Sequence, residues 1–96
     1  MKNDLFEWDD GKALANIANH GVSFDEARTV FEDTFSITQQ DVVNSDFEER
    51  FNTIGLSLVS RVLLVVHTER EERTRIISAR KATPSERTEY EKQRQR

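Results

Sequence analysis

The chain has 96 residues, 33% of them charged and 35% hydrophobic, which suits one domain with a single core and excludes a separate catalytic domain. The absence of cysteine excludes a disulfide framework and a thiolate metal site, so no zinc is expected. The longest apolar run, 62–66, is far shorter than the roughly 20 residues of a membrane span, and residues 1–10 lack a secretion signal. We therefore expect a cytoplasmic protein with no membrane partner.

The net charge of −4 conceals two halves of opposite sign. Residues 1–60 carry four cationic side chains against twelve acidic ones, whereas residues 61–96 carry ten against six. A basic half can meet a phosphate backbone, and an acidic half can meet a basic partner protein. The alternative is that the two halves complement each other within the fold.

The first part of the chain predicts a short strand followed by two helices. Alternation over residues 5–8 indicates the strand, and the helical spacing of residues 12–19 indicates the first helix, which ends before Gly21. Ser23 and Glu26 are predicted to form a capping box that opens a second helix. The apolar stripe of the first helix is predicted to be Leu14, Ile17 and Ala18.

After residue 34 the apolar period changes to two, which predicts an antiparallel sheet. Short strands are expected at 35–39 and 49–57, followed by a long hairpin over 61–83. Within the hairpin, the even-numbered face is predicted to be core and the odd-numbered face to turn polar toward the tip. The even-numbered core residues are Val62, Leu64 and Val66.

A polar terminal helix is predicted in residues 83–96, opened by a second capping box between Thr83 and Glu86 and ending near Gln93. Its one apolar side chain after the first turn is Tyr90, so we expect a partner to complete its packing. The predicted fold is a single α+β domain: an antiparallel sheet with two N-terminal helices packed on it and a C-terminal helix.

The strands can be aligned if the hairpin pairs Arg70 with Arg73 and the preceding turn pairs Ser57 with Val62. Under this register one face collects six polar residues, with Arg80 and Arg61 farther along it. These residues are Arg50, Asn52, His67, Glu69, Thr74 and Ser78. A slip of one residue in either turn would divide the group between opposite faces.

Such a group has the composition expected for cleaving RNA without a metal. Arginine can clamp a phosphate, and His67 or Glu69 could take the proton from a ribose 2′-hydroxyl. The alternatives are that His67 simply packs beside Asn52 and that Glu69 pairs with Arg50. His20 is a further candidate because histidine commonly serves in proton transfer, although its position at a helix C-terminus is a sufficient structural explanation.

Several sequence motifs resemble those of one known family. They are FEWD at 6–9, HGVSFDEA at 20–27, EERF at 48–51, TER at 68–70 and RIISARKA at 75–82. In this order the chain resembles the BrnT family of type II toxins. The resemblance implies a fold like that of RelE ribonucleases and a bacterial toxin that cleaves RNA and inhibits translation. It also implies an antitoxin of ribbon-helix-helix type, through which alone operator DNA would be bound.

The motifs and the local chemistry together define the predicted site, which needs no cofactor or metal. The predicted catalytic residues are Glu69, Arg80, His20 and His67, and the predicted RNA-binding residues are Arg50, Arg75 and Lys81. We expect attack of a 2′-hydroxyl on the adjacent phosphate. The alternative function is a non-enzymatic module that binds the antitoxin and acts in operon autoregulation, which the acidic first half favours.

Overall fold

A computed structural model describes residues 1–95 and contains the predicted order of elements. They are β1 (Phe6–Glu7), α1 (Asp10–His20), α2 (Phe24–Arg28), β2 (Ile37–Gln40), β3 (Phe51–Leu56), β4 (Val62–Arg70), β5 (Arg73–Lys81) and α3 (Pro84–Arg94). A 3₁₀ turn, Thr29–Glu32, continues α2. The last residue of the predicted segment 83–96 lies outside the described residues. None of the helices in residues 1–95 is long and apolar enough to cross a membrane.

The five strands form one sheet in the order β1-β5-β4-β3-β2. Neighbours from β2 to β5 are antiparallel, but β1 runs parallel to β5, with Phe6 opposite Thr74 and Glu7 opposite Arg75. The sheet is therefore mixed, and the expectation of a purely antiparallel sheet is wrong. Alternation reveals a strand but not its direction, and β1 reaches β5 only after both helices and three strands have intervened.

Of the two register assumptions, one is confirmed and one is wrong. Arg70 does pair with Arg73, but Val62 pairs with Leu56 rather than with Ser57. The reason lies in the turn, where Ser57 N donates to Arg61 O at 2.8 Å and Ser60 adopts a positive φ of 64°. The turn therefore takes up one more residue of the preceding strand than predicted.

The faces of β4 are also the reverse of the prediction. Leu63 and Val65, at odd positions, are fully buried against α1 and α2 in a core with Trp8, Phe24 and Ile76. Leu64, at an even position, is buried on the opposite face. Because every residue of 62–66 is apolar, hydrophobicity alone does not distinguish the two faces.

The apolar stripe predicted for α1 does not face the core. Leu14 and Ile17 are 72% and 47% exposed, whereas the polar Asn16 is 5% exposed. The Asn16 amide donates to Val22 O at 2.8 Å and to Ala79 O at 2.9 Å, and its Oδ1 accepts from Ala79 N. Hydrogen bonds to backbone thus decide which side of α1 meets the sheet.

Helix α3 lies on the other side of the sheet and is well anchored there. The ring of Tyr90 is fully buried, and its hydroxyl donates to Asp33 Oδ2 at 2.5 Å. Burial, together with the neighbouring Asp33 carboxylate, raises the pKa of Tyr90 to about 12, so the hydroxyl keeps its proton at neutral pH. The Arg94 guanidinium lies 6.0 Å from the ring centres of both Tyr90 and Phe35. The packing of this polar helix therefore rests on a single aromatic anchor with hydrogen-bonding and cationic support.

Candidate active site

A β-bulge determines which side chains of β5 share a face. Val66 pairs with Ser78 and His67 pairs with Ile76, so Ile77 is an extra residue without an opposite partner. An extra residue reverses the alternation of side chains beyond it. As a result Arg75 joins Ser78 and Arg80 on the sheet face opposite α1 and α2, which we call the α3 face.

The first ion pair on the α3 face joins Arg75 to Glu7. The Arg75 Nη1 atom donates to Glu7 Oε2 at 2.7 Å, and the two side chains are only 25% and 11% exposed. Their strands place them opposite each other, because Glu7 of β1 is the register partner of Arg75. The pair thus places a guanidinium, a group that can bind phosphate, beside a carboxylate, a group that can accept a proton.

The second pair joins Arg80 to Glu86 at the start of α3. Arg80 donates through Nη1 and Nη2 to the two carboxylate oxygens, at 2.7 and 3.0 Å. The hydrogen bond to Glu86 raises the pKa of Arg80, and the same bond lowers the pKa of Glu86. Glu86 also accepts from Thr83 N at 2.9 Å, so its carboxylate serves the helix cap and the guanidinium together.

Polar residues lie between the two ion pairs. One row of paired residues crosses the sheet from β2 to β5 and consists of Gln39, Asn52, Val66 and Ser78. On β4, the partners of Arg75 and Arg80 lie two residues to either side of Val66. Strand geometry therefore separates the two arginine rows by about 14 Å. The α3 face thus presents a guanidinium to either side of a row that carries a hydroxyl on β5 and amides on β3 and β2.

The two other predicted RNA-binding residues are placed differently: Arg50 lies on the α3 face, whereas Lys81, opposite Leu63, lies on the side of α1 and α2. Arg50 directly precedes β3, and strand alternation places it on the side of Asn52. Lys81 ends β5 and lines an open cavity of about 320 Å³. The other residues of this cavity are Ser60, Arg61, Val62 and Arg87. Three of its five lining residues are therefore cationic.

The structure does not bring His67 to this surface. It lies on the helix side, with its ring 4.8 Å from the ring of Phe31 and 5.8 Å from that of Phe51, and its Nε2 is 2.7 Å from Thr53 Oγ1. Burial lowers the pKa of His67 to about 4, so the ring is neutral at physiological pH. Its Nδ1 is buried and has no partner within residues 1–95.

Glu69 and His20 are also separate from the paired arginines. Glu69 is exposed near the hairpin tip, opposite Thr74, whose hydroxyl donates to it at 3.1 Å. It lies five residues along β4 from the partner of Arg80, or about 17 Å. His20 is the exposed last residue of α1. Of the four predicted catalytic residues, only Arg80 belongs to the α3 face.

The sequence reasoning missed Glu7 and Glu86, although signals for both were present. Glu7 stands between Phe6 and Trp8, and alternation in such a strand directs a polar residue away from the core. Glu86 was interpreted only as a capping residue, and it is indeed one. Among residues 1–95, no group of three or more His, Cys, Asp or Glu side chains is arranged to hold a metal ion.

The fold and site together define a small α+β protein whose sheet carries two arginine–carboxylate pairs on one face. A family model described as "Ribonuclease toxin, BrnT, of type II toxin-antitoxin system" matches residues 8–86. The chain belongs to the BrnT family of ribonuclease toxins, and membership implies an antitoxin partner.

A solved structure supports the same fold. The 1.1 Å crystal structure of the Brucella abortus ribonuclease toxin, BrnT, is similar with a TM-score of 0.60 and 23% sequence identity. The similarity covers 82% of this chain and 97% of that chain. No individual curated protein matches the chain. The overall fold is thus similar to that of a ribonuclease toxin.

Proposed function

We propose that this chain is a metal-independent endoribonuclease toxin that acts in the bacterial cytoplasm, inhibits translation and has a fold related to that of RelE ribonucleases. The observation that carries the proposal is the arrangement of the Arg75–Glu7 and Arg80–Glu86 pairs on one face of the sheet. Between them lie Ser78 and Asn52, which offer hydrogen bonds to a sugar or phosphate. These groups supply cationic charge and a proton acceptor from side chains alone.

Each arginine keeps donors for a substrate. Guanidinium has five N–H groups, and Arg75 uses one of them for Glu7. The remaining donors can bind the phosphate oxygens and stabilise the charge that develops on them in the transition state. The carboxylate meanwhile holds the guanidinium in place, so little reorganisation accompanies substrate binding.

Glu7 is the best-placed general base. Its Oε2 is bound to Arg75, and its Oε1 has no hydrogen-bond donor within residues 1–95, whereas both oxygens of Glu86 are engaged. In the proposed step, Glu7 takes the proton of the 2′-hydroxyl and the freed oxygen attacks the adjacent phosphorus. The bond to the 5′-oxygen breaks, and that oxygen takes up a proton. The products are a 2′,3′-cyclic phosphate and a 5′-hydroxyl.

The rest of the RNA strand has a path along β5. From Arg75 the path passes Ser78 and Arg80 on the α3 face and continues round the end of the strand to the cavity of Lys81 and Arg87. Neither of these last two side chains has an ion-pair or hydrogen-bonding partner in the described residues. They are therefore available for further phosphates, which a net charge of −4 would otherwise disfavour.

Expression of the chain alone tests the proposal. We expect growth arrest and RNA degradation, and the purified protein should cut RNA in the presence of a chelator and leave cyclic phosphate ends. Arg80→Ala should abolish this activity. Arg28→Ala is its matched control, because Arg28 is a surface arginine paired with Asp25 on α2. Normal growth with intact RNA at confirmed expression would refute the proposal.

We also propose that the antitoxin is of ribbon-helix-helix type and that operator DNA is bound only through it. A candidate docking segment is the loop 41–50, where Val42, Val43 and Phe47 are strongly exposed. Four acids accompany them, namely Asp41, Asp46, Glu48 and Glu49. This chemistry fits a partner with apolar and basic side chains.

The exposed loop also supports the second candidate function, a non-enzymatic module that binds the antitoxin for operon autoregulation. The two functions make different predictions for Arg80→Ala and Phe47→Ser. If Arg80→Ala abolishes toxicity and leaves antitoxin affinity unchanged, binding alone is not the function. Phe47→Ser should instead weaken the antitoxin complex and leave RNA cleavage intact.

A further inference from the structure

The two edges of the sheet are protected to different degrees. On β5, the outer edge is occupied by β1 at Thr74 and Arg75 and by the Asn16 side chain at Ala79, whereas β2 pairs with β3 alone. Proteins commonly protect an edge strand with charged residues, proline or a bulge. The strand β2 has the sequence ITQQ, and its register with β3 is continuous. Its edge is therefore open to pairing with another strand.

Two residues of β2 direct free backbone groups away from the sheet. Successive residues of an antiparallel strand bond to opposite sides. Asp41 N donates to Arg50 O at 2.7 Å in the register that continues β2 and β3, so Gln39 also bonds toward β3. The N–H and C=O groups of Thr38 and Gln40 therefore point outward, and no backbone group of residues 1–95 pairs with them there.

This edge is complementary to itself. If β2 of a second copy lies antiparallel with its Gln39 opposite Gln39, each Thr38 lies opposite Gln40 of the other copy. Every outward N–H and C=O of the two strands then has a partner, and a single twofold axis relates both pairings. The two Gln39 side chains are exposed, and each has donor and acceptor atoms that can bond across the axis.

The segments that flank β2 also complement each other across this axis. Continuing the register places Val43 opposite Phe35 of the second copy, and these apolar side chains are 82% and 40% exposed in the single chain. It also places Asp41 opposite Ile37, two residues from Phe35. The Arg94 guanidinium lies 6.0 Å from the Phe35 ring centre, so it approaches the acidic loop 41–50 of the second copy. Apolar contact and opposite charges thus meet at both ends of the paired strands.

We propose that the free chain forms a twofold dimer through its β2 edges, which joins two five-stranded sheets into one. The absence of charge on β2 favours a second copy, because identical strands then meet without repulsion at the axis. A basic segment of another protein would gain from the acidic loop but would face Arg94 as a like charge. Paired residues of antiparallel strands point to one face, so both α3 faces lie on the same side of the joined sheet. This inference goes beyond the catalytic proposal and does not depend on it.

The chain has no cysteine, so a single introduced thiol reports the register directly. The Cα atoms of a non-hydrogen-bonded antiparallel pair lie about 4.5 Å apart, within reach of a disulfide. Gln39→Cys should therefore cross-link the full-length chain into a covalent dimer under mild oxidation. Gln40→Cys is the matched control on the same exposed strand. We expect about tenfold less covalent dimer from it, because its Cα atoms would lie about 8 Å apart, beyond the disulfide limit.

Gln40→Pro tests the backbone pairing without a thiol. It removes an N–H that faces away from β3, so the ladder within the chain is kept and the hydrogen bonds across the axis are lost. Sedimentation over a range of protein concentrations should show a dimer for the unchanged chain and for Gln40→Ala, and a monomer for Gln40→Pro. If Gln40→Pro fails to fold, the two cysteine variants decide the question.

A monomer at every concentration would overturn the proposal, as would equal cross-linking of the two cysteine variants. Amide exchange in β2 that slows only in the antitoxin complex would also overturn it, because the edge would then belong to the antitoxin. RNA cleavage by a monomer would refute the dimer and leave the proposed function intact. A dimer that does not cleave RNA would mean the reverse.

Discussion

The side chain of Asn16 binds both backbone polar groups of Ala79, through Nδ2 to the carbonyl at 2.9 Å and through Oδ1 to the amide at 3.1 Å. Along its outer edge β5 is paired with β1 only at Thr74 and Arg75. Asn16 therefore takes the place of the next strand at Ala79 and closes an edge that would otherwise be open to pairing with another chain.

We expect Asn16→Leu to lower the free energy of unfolding by about 3 kcal/mol, because buried groups of Val22 and Ala79 would lose their partners. Urea denaturation measures the change. Asn19→Leu, exposed on the same helix, is the control and should have little effect. A loss near zero for Asn16→Leu would mean that water replaces the amide.

The assignment of Glu7 as general base predicts that Glu7→Gln lowers the rate of RNA cleavage by at least about 100-fold. Glutamine retains an oxygen that can accept from Arg75, so the guanidinium should stay in position and RNA affinity should change little. Glu69→Gln is the matched control, and its activity should remain within a few-fold of the unchanged protein. The opposite pattern would transfer the role to Glu69.

Because burial lowers the pKa of His67, we expect the stability of the fold to depend on pH. Its pKa falls from 6.5 to about 4 on folding, so the unfolded chain binds more protons between these values. The stabilisation is complete above pH 6.5 and is lost as the pH falls to about 4, a difference of about 3 kcal/mol. His67→Phe should remove this part of the acid sensitivity in denaturation experiments between pH 4 and 7, and identical pH profiles would contradict the assignment.

Removal of the Tyr90 hydroxyl should loosen α3 without emptying its packing site. Tyr90→Phe deletes the bond to the Asp33 carboxylate, and we expect a loss of about 2 kcal/mol, since hydrogen bonds to charged groups are the stronger kind. Amide exchange in 84–94 should become faster. Thr88→Ala, whose hydroxyl donates only within the exposed helix, should leave exchange elsewhere in α3 unchanged.

Local signals in the sequence predicted the elements well. The capping box of Thr83 and Glu86 is complete, and the hairpin pairs Arg70 with Arg73 even though its tip lacks glycine and places Glu71 and Glu72 at positive φ. These features depend on residues close in sequence. Short-range capping chemistry and turn geometry therefore sufficed.

The candidate site was harder to predict from the sequence, because it depends on which sheet face each side chain occupies and on contacts between residues far apart in the chain. The extra residue Ile77 reverses the alternation of side chains along β5 and so moves Arg75 to the α3 face. A period-two sequence pattern does not reveal such a bulge. Glu26 shows the second difficulty. Its side chain does not complete the predicted cap at Ser23 but binds Arg61, 35 residues away.

Glu86 couples the first turn of α3 to the orientation of the Arg80 side chain. Its carboxylate closes the first turn of α3 at Thr83 and at the same time fixes the guanidinium. Unwinding of this turn would release Arg80. A ligand that binds the last segment of the chain and unwinds this turn would therefore change the geometry of the α3 face without contacting it.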